Sequence, residues 1–296
     1  MNGAPSSTWF TASPHWGWYI ASYFFLGGLA GGSYFLAALM DLFGRREDRP
    51  LAHIGYYVAF PCVAISGLLL TLDLGKPMRF WHMLIESNTY RPMFKYWSPM
   101  SIGSWGLLAF GFFTFASFLG ALAEDGRIPW SGLRILRAPA APGLIVELLG
   151  GLAGFYVASY TGVLLAVTNR PIWSDTPLLG MLFVVSAAST SAALMTLVAH
   201  RSDLTLPGLA DLHRMETWVI ALELAVLTAV VISLGRVVSA WLNGWGVLLL
   251  IVVAVGMIAP LVLASRRRTS PDASMSTAAV LVLVGGFLLR VVIVFS

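Results

Sequence analysis

GWYIASYFFLGGLAGGSYFLAALMDLF, residues 17–43, is almost free of charge and long enough for about seven turns of helix. A hydrocarbon core about 30 Å thick needs about 20 helical residues, so the stretch reads as a membrane span. Seven further runs of the same kind lie near 51–74, 99–122, 143–168, 177–200, 215–240, 245–265 and 277–295. The composition agrees: 58% of the 296 residues are hydrophobic and 11% charged, against about 25% charged in an ordinary soluble domain. Eight continuous runs exclude a soluble apolar core, because each would need burial on every side, and they favour helices over barrel strands. The expected fold is an all-α integral membrane protein with eight transmembrane helices in two four-helix bundles, 17–168 and 177–296, preceded by a segment 1–16 outside the membrane.

Lys and Arg set the orientation. Arg45, Arg46, Arg49, Arg127, Arg134, Arg137, Arg201, Arg214 and Arg266 to Arg268 fall on one side, whereas the other carries only Lys76, Arg79, Arg91, Lys95 and Arg170. The positive-inside rule then places both termini outside, N-out and C-out. The net charge of +4 reports this topology rather than nucleic-acid binding. Residues 1–15 hold no Lys or Arg, so a secretory signal peptide is not expected. The single cysteine, Cys62, excludes an intramolecular disulfide and a cysteine-ligated cluster within the protein.

Gly27 and Gly31, like Gly28 and Gly32, are four apart and form a helix face against which another helix can pack closely. Gly150, Gly151 and Gly154, and Ser186 to Ser191, offer similar faces on spans 4 and 5. The connection 74–98 is richer. Gly75 and Pro77 end span 2, and Phe80, Trp81, Met83 and Leu84 alternate with Arg79, His82 and Glu86 as in a short helix lying at the interface. Its cations Lys76, Arg79, Arg91 and Lys95 lie on the side where the topology rule wants few, which suggests docking of an acidic partner or headgroup, with interfacial anchoring as the plainer alternative.

Haem needs two axial ligands facing each other at one depth. The five histidines sit at span edges, and the only conceivable pair is His53 with His200, so no haem is expected. Tyr23 lies about 12 Å inward from His15, and Tyr160 about 15 Å inward from Arg170, so both phenols share a depth in the outer half. If spans 1 and 4 are neighbours, the two phenols face one pocket, closed by Asp73 from the end of span 2. Each alone is equally an interfacial belt residue, and Asp73 equally a helix-end partner of Lys76 or Arg79. In the inner half, Glu147, Glu216 and Glu223 form either a proton-transfer ladder or a packing network. Arg236 and Arg290 are expected to snorkel.

The stretches YFFLGGLAGG (23–32), DLGKPMRFW (73–81), SPMSIGSW (98–105), YTGVLLA (160–166) and NRPIW (169–173) resemble the NrfD/PsrC family. The similarity covers residues 16–200, and spans 6 to 8 match mainly in hydropathy. The resemblance implies a quinone-reactive anchor in the bacterial cytoplasmic (inner) membrane, carrying no haem or iron-sulfur cluster of its own. Its substrate would be a quinone, menaquinone or ubiquinone. Its partners would be an outer iron-sulfur subunit, ferredoxin-like with four clusters, and a molybdopterin or multihaem cytochrome subunit, besides membrane lipids. Tyr160 matches the family's quinone-contacting tyrosine, Tyr23 a polar position occupied by histidine in some members, and Asp73 the acidic position after span 2. His15, Tyr19 and His82 are additional candidate donors. The competing class is a secondary transporter, which Pro61 and Pro260 would serve as helix breaks.

Overall fold

The computed structural model describes residues 16–201, 207–265 and 271–296. Among these, eight helical segments are long and apolar enough to cross a membrane, and the regular structure is helical apart from one isolated bridge between Ile85 and Pro92. The helices are α1 Trp18–Phe43, α2 Arg49–Asp73, α3 Pro99–Glu124, α4 Ala141–Ala166, α5 Leu179–Arg201, α6 Pro207–Ser233, α7 Gly244–Ile251, α8 Ala259–Ser265 and α9 Pro271–Phe295. The seventh span comprises α7, a π-helical stretch Val252–Ile258 and α8.

Local chemistry sets the ends. Ser98 caps α3 by accepting from the Ser101 amide, with Pro99 at the first helical position, and Asn243 caps α7 through the Trp245 amide. Gly75 and Gly235, at φ of 65° and 52°, turn the backbone after α2 and α6. The sixth span therefore differs from its expected range of 215–240. It begins at Pro207 and stops at Ser233, because the glycine turn ends it before Arg236, which lies exposed in a short 3₁₀ segment. Of the two prolines weighed as helix breaks, Pro61 sits inside an uninterrupted α2, whereas Pro260 follows the π-helical stretch. A proline there has no N–H to donate, so a change of hydrogen-bond register just before it is understandable.

Helix α1 is the hub. It packs on α2, α4, α5 and α9, while α3 bridges α2 and α4; α5 in turn packs on α4, α6 and α9, and α9 lies against the seventh span. The small-residue faces do what their spacing implies. A Cβ on Gly31 would come within 2.4 Å of the Gly154 carbonyl oxygen, so α1 and α4 meet backbone to backbone. Gly32 faces α5 at Ala187 and Ser191 in the same way.

Trp18 packs on Phe295 and Trp16 stacks on Trp173, so the two ends of the described structure share one face, here called the terminal face. It also carries the connection 74–98. The charged connectors after α1 and α3 lie on the opposite face.

Candidate functional site

Near the terminal face α1 and α4 bring phenols together. Tyr160 is buried, and its hydroxyl donates to the Pro99 carbonyl over 2.7 Å. That contact exists because residue 103 is glycine: a Cβ there would lie 2.1 Å from the Tyr160 hydroxyl oxygen. Tyr156, one turn earlier on α4, stacks on Tyr160 with ring centroids 5.6 Å apart and rests against Gly106. Tyr23 of α1 is buried and lies within electrostatic reach of both. It makes no hydrogen bond among the described residues. Beside it, near Gly27, the buried Ser66 hydroxyl of α2 also lacks a partner.

The two phenols singled out in the sequence are thus neighbours, and two further groups, Tyr156 and Ser66, join them. The position of Tyr156, four residues before Tyr160, was a readable signal on a helix. Ser66 had none, since one serine in an apolar run gives no indication of which way it faces.

The other candidates stand apart. Asp73 does not close the phenol cluster: it is the last residue of α2, exposed, and without a hydrogen bond or ion pair to Lys76, Arg79 or any other described residue. Tyr19 is half exposed on the first turn of α1, and His15 lies outside the described residues. His82 is partly buried with its ring edge-on to Trp81.

The connection 74–98 forms a folded cap. Pro77–Met83 is a 3₁₀ turn, Trp81 stacks parallel to Tyr90, and the Glu86 and Met93 amides donate to the Arg91 and Leu84 carbonyls. The Trp105 indole ties the cap to α3 by donating to the Met93 carbonyl over 3.0 Å. Lys76, Arg79, Arg91 and Lys95 are all exposed on it, as are Met78, Phe80, Tyr90, Phe94, Tyr96 and Trp97. Monomeric surfaces rarely expose so much apolar area beside four cations and the single anion Glu86, unless they meet a partner or a membrane.

Glu147, Glu216 and Glu223 occupy three separate networks. Glu147 of α4 pairs with Arg137 over 2.9 Å and accepts from the Ala138 amide. Glu216 contacts His213 Nδ1 at 3.2 Å. Glu223 accepts from Ser189 Oγ over 2.6 Å, close to Arg290. Arg290 does not snorkel. It is fully buried, donating through Nη1 to Ser186 Oγ and the Gly286 carbonyl and lying over Phe25 and Phe183. Its place opposite Glu223 keeps the charge inside the bundle rather than at the lipid boundary.

His53 does not pair with His200. Its two ring nitrogens face Asp125 at 2.8 Å and Glu124 at 3.2 Å, which commits both to carboxylates. Among the described residues no group of three or more His, Cys, Asp or Glu side chains is arranged to hold a metal.

Residues 9–296 match the protein family described as Polysulphide reductase, NrfD. One of the chains of the Wolinella succinogenes polysulfide reductase is 29% identical over 185 residues, covering 59% of this sequence and 55% of that protein. Protein NrfD of Escherichia coli is 28% identical over 238 residues, 74% of this sequence and 71% of its own length. One of the subunits of the Mesobacillus selenatarsenatis selenate reductase is 30% identical over a shorter 95-residue stretch, 20% of its length. The protein thus spans about half the length of the Wolinella relative and less of the selenate reductase one.

Proposed function

The chain belongs to the NrfD family, and we propose that it is the quinone-reactive membrane subunit of a respiratory oxidoreductase in the bacterial cytoplasmic membrane. In this reading the terminal face is outer, both termini are outside, and the first four spans form the bundle that carries the site. An iron-sulfur subunit docks on the basic and aromatic cap, and a catalytic subunit, molybdopterin or multihaem, completes the complex. Two of the relatives are named as single components of a polysulfide and a selenate reductase, which supports a membrane subunit serving a separate catalytic one.

The observation that carries the reading is the cluster of Tyr23, Tyr156 and Tyr160 on the side of the membrane that bears the cap. Quinone chemistry moves two electrons and two protons, so it needs hydrogen-bonding groups at the ring oxygens and a nearby electron carrier. The hydrogen bonds sort the phenols by role. The only proton of the Tyr160 hydroxyl is committed to the Pro99 carbonyl, so its oxygen is free to accept from a quinol O–H. A carbonyl does not carry that proton onward, so Tyr160 orients the ring rather than relaying protons. Ser66, whose buried hydroxyl lacks a partner, and Tyr23, which makes no hydrogen bond among the described residues, are free to donate or accept. Asp73, at the water-exposed rim, is the group to which a released proton would pass, with His15, Tyr19 and His82 around the same rim.

Glu147 and Glu216, toward the opposite face, and Glu223, deeper in the bundle beside Arg290 rather than in the inner half, are proposed as proton-transfer groups. The menaquinone or ubiquinone is substrate and not a resident group.

The test is to purify the protein in mild detergent with whatever accompanies it, and to measure binding of a quinone-site inhibitor alongside solute uptake by proteoliposomes of the protein alone. Copurification of an iron-sulfur protein with saturable inhibitor binding supports the reading. Solute uptake without inhibitor binding replaces it with a transporter.

A further inference from the structure

Where the first four spans meet the opposite face, their buried charges do not balance. Asp41 at the end of α1 and Glu147 of α4 both ion-pair with one guanidinium, that of Arg137, Asp41 through Nη2 and Glu147 through Nη1 at 2.9 Å. Both carboxylate side chains are 0% exposed and Arg137 is 2% exposed. The other charges nearby lie in the more accessible layer, where Arg134 donates to the Ala123 carbonyl and the rest are paired. Arg49 holds Glu124 at 2.5 Å, His53 sits between Glu124 and Asp125, and Arg127 lies 3.9 Å from Asp125; Glu124 also reaches Arg137 Nε at 3.4 Å. Burial disfavours the charge on Arg137, but Tyr56, Asp41 and Glu147 around it outweigh this and raise its pKa above the ordinary arginine value, so it stays cationic. With both acids ionised, the dry core carries two negative charges against one positive.

Three buried oxygens around this point lack hydrogen-bond partners: Asp41 Oδ1, Glu147 Oε2 and the hydroxyl of Tyr56. Tyr56 is 0% exposed, and its ring lies 4.3 Å from the Arg137 guanidinium carbon. The neighbouring Tyr34 contrasts with it, being satisfied by Ser117 Oγ at 2.7 Å and the Val146 carbonyl at 3.0 Å. Two orphaned carboxylate oxygens lack a donor, and an uncompensated buried charge costs several kcal/mol. A proton answers both needs, supplying one positive charge and one donor hydrogen.

We propose that Asp41 and Glu147 share a single exchangeable proton, held against Arg137 and Tyr56, and that it exchanges with the aqueous phase of the opposite face. The route is an open surface pocket of about 420 Å³ lined by Arg49, Glu124, Arg134, Arg137 and Ala140. Uptake takes a proton from hydronium and leaves water; release reverses this. The inference adds Asp41, Arg137 and Tyr56 to the proton-transfer part of the reading above. It rests on the charge count, so quinone binding is not required for it to hold.

Infrared difference spectroscopy of the purified protein in lipid nanodiscs tests it. The expected result is a carboxylic acid C=O band that shifts in D2O and is lost in both Glu147→Gln and Asp41→Asn, since either substitution leaves one acid against one arginine. Asp211→Asn, at an exposed carboxylate, keeps the band. Survival in either of the first two variants means one acid is protonated for its own reasons and overturns the sharing, as does absence of the band from the unaltered protein. Should the variants fail to fold, ¹³C labelling of aspartate carboxyls in the unaltered protein decides. A partial shift of the band supports a proton that spends time on Asp41, and an unshifted band overturns it. For the route, Ala140→Trp in the cavity wall is expected to slow deuterium exchange of the band, and unchanged exchange overturns that path.

Discussion

Tyr160→Phe removes one oxygen and one proton from a buried position while leaving the ring in place. The stacking on Tyr156 and the fit over Gly103 are kept, and the Pro99 carbonyl loses one donor. A single neutral hydrogen bond contributes about 1 kcal/mol to stability. The complex is therefore expected to assemble, with only a small fall in its thermal midpoint. If the phenol oxygen also accepts from quinol in the transition state, losing it costs about 1–3 kcal/mol there, or roughly 5- to 150-fold in kcat/KM. The assay is oxidation of a soluble quinol analogue by the purified complex, with thermal unfolding followed on the same preparation. A variant that assembles normally and turns over within about twofold of the unaltered complex would refute the assignment of Tyr160, since no hydrogen bond that matters in the transition state is worth so little.

Arg290→Met should destabilise the protein by about 2–3 kcal/mol, because the Ser186 hydroxyl and the Gly286 carbonyl lose a charged donor and buried Glu223 loses a nearby positive charge, and adding Glu223→Gln should recover part of that loss. Equal stability of the single and double variants in thermal unfolding would show that the two groups are not coupled. Replacing Lys76, Arg79, Arg91 and Lys95 together by Glu should abolish copurification of the iron-sulfur partner at low salt without changing the protein's yield, and retained copurification argues against docking on the cap. Neutralising Glu147, Glu216 and Glu223 should lower the proton-to-electron ratio in proteoliposomes, and an unchanged ratio removes them from any proton path.

Much of the fold was legible because the requirement behind it is local. A segment in hydrocarbon must satisfy its own backbone, so about 20 apolar residues in succession mean a helix whatever its neighbours do. The boundaries of the sixth span differ because hydropathy alone does not register that Gly235 turns the backbone, and because His213 looks like part of a loop until its burial is known. The shared depth of Tyr23 and Tyr160 followed from counting residues along helices. Their adjacency did not, since it depends on α1 and α4 touching at Gly31 and Gly154 with one particular rotation.

What the residue order determined on its own is the number of spans, the small-residue faces by which α1 meets its neighbours, and the concentration of basic and aromatic residues in the cap. What tertiary structure decided is the company each polar side chain keeps. Asp73 lies exposed at the end of α2, Arg290 turns inward near Glu223, and Arg137 folds back from its loop to lie between Asp41 and Glu147. In a medium without water, a charge is stable only where a partner happens to stand, and the partners of these residues come from helices distant in the sequence.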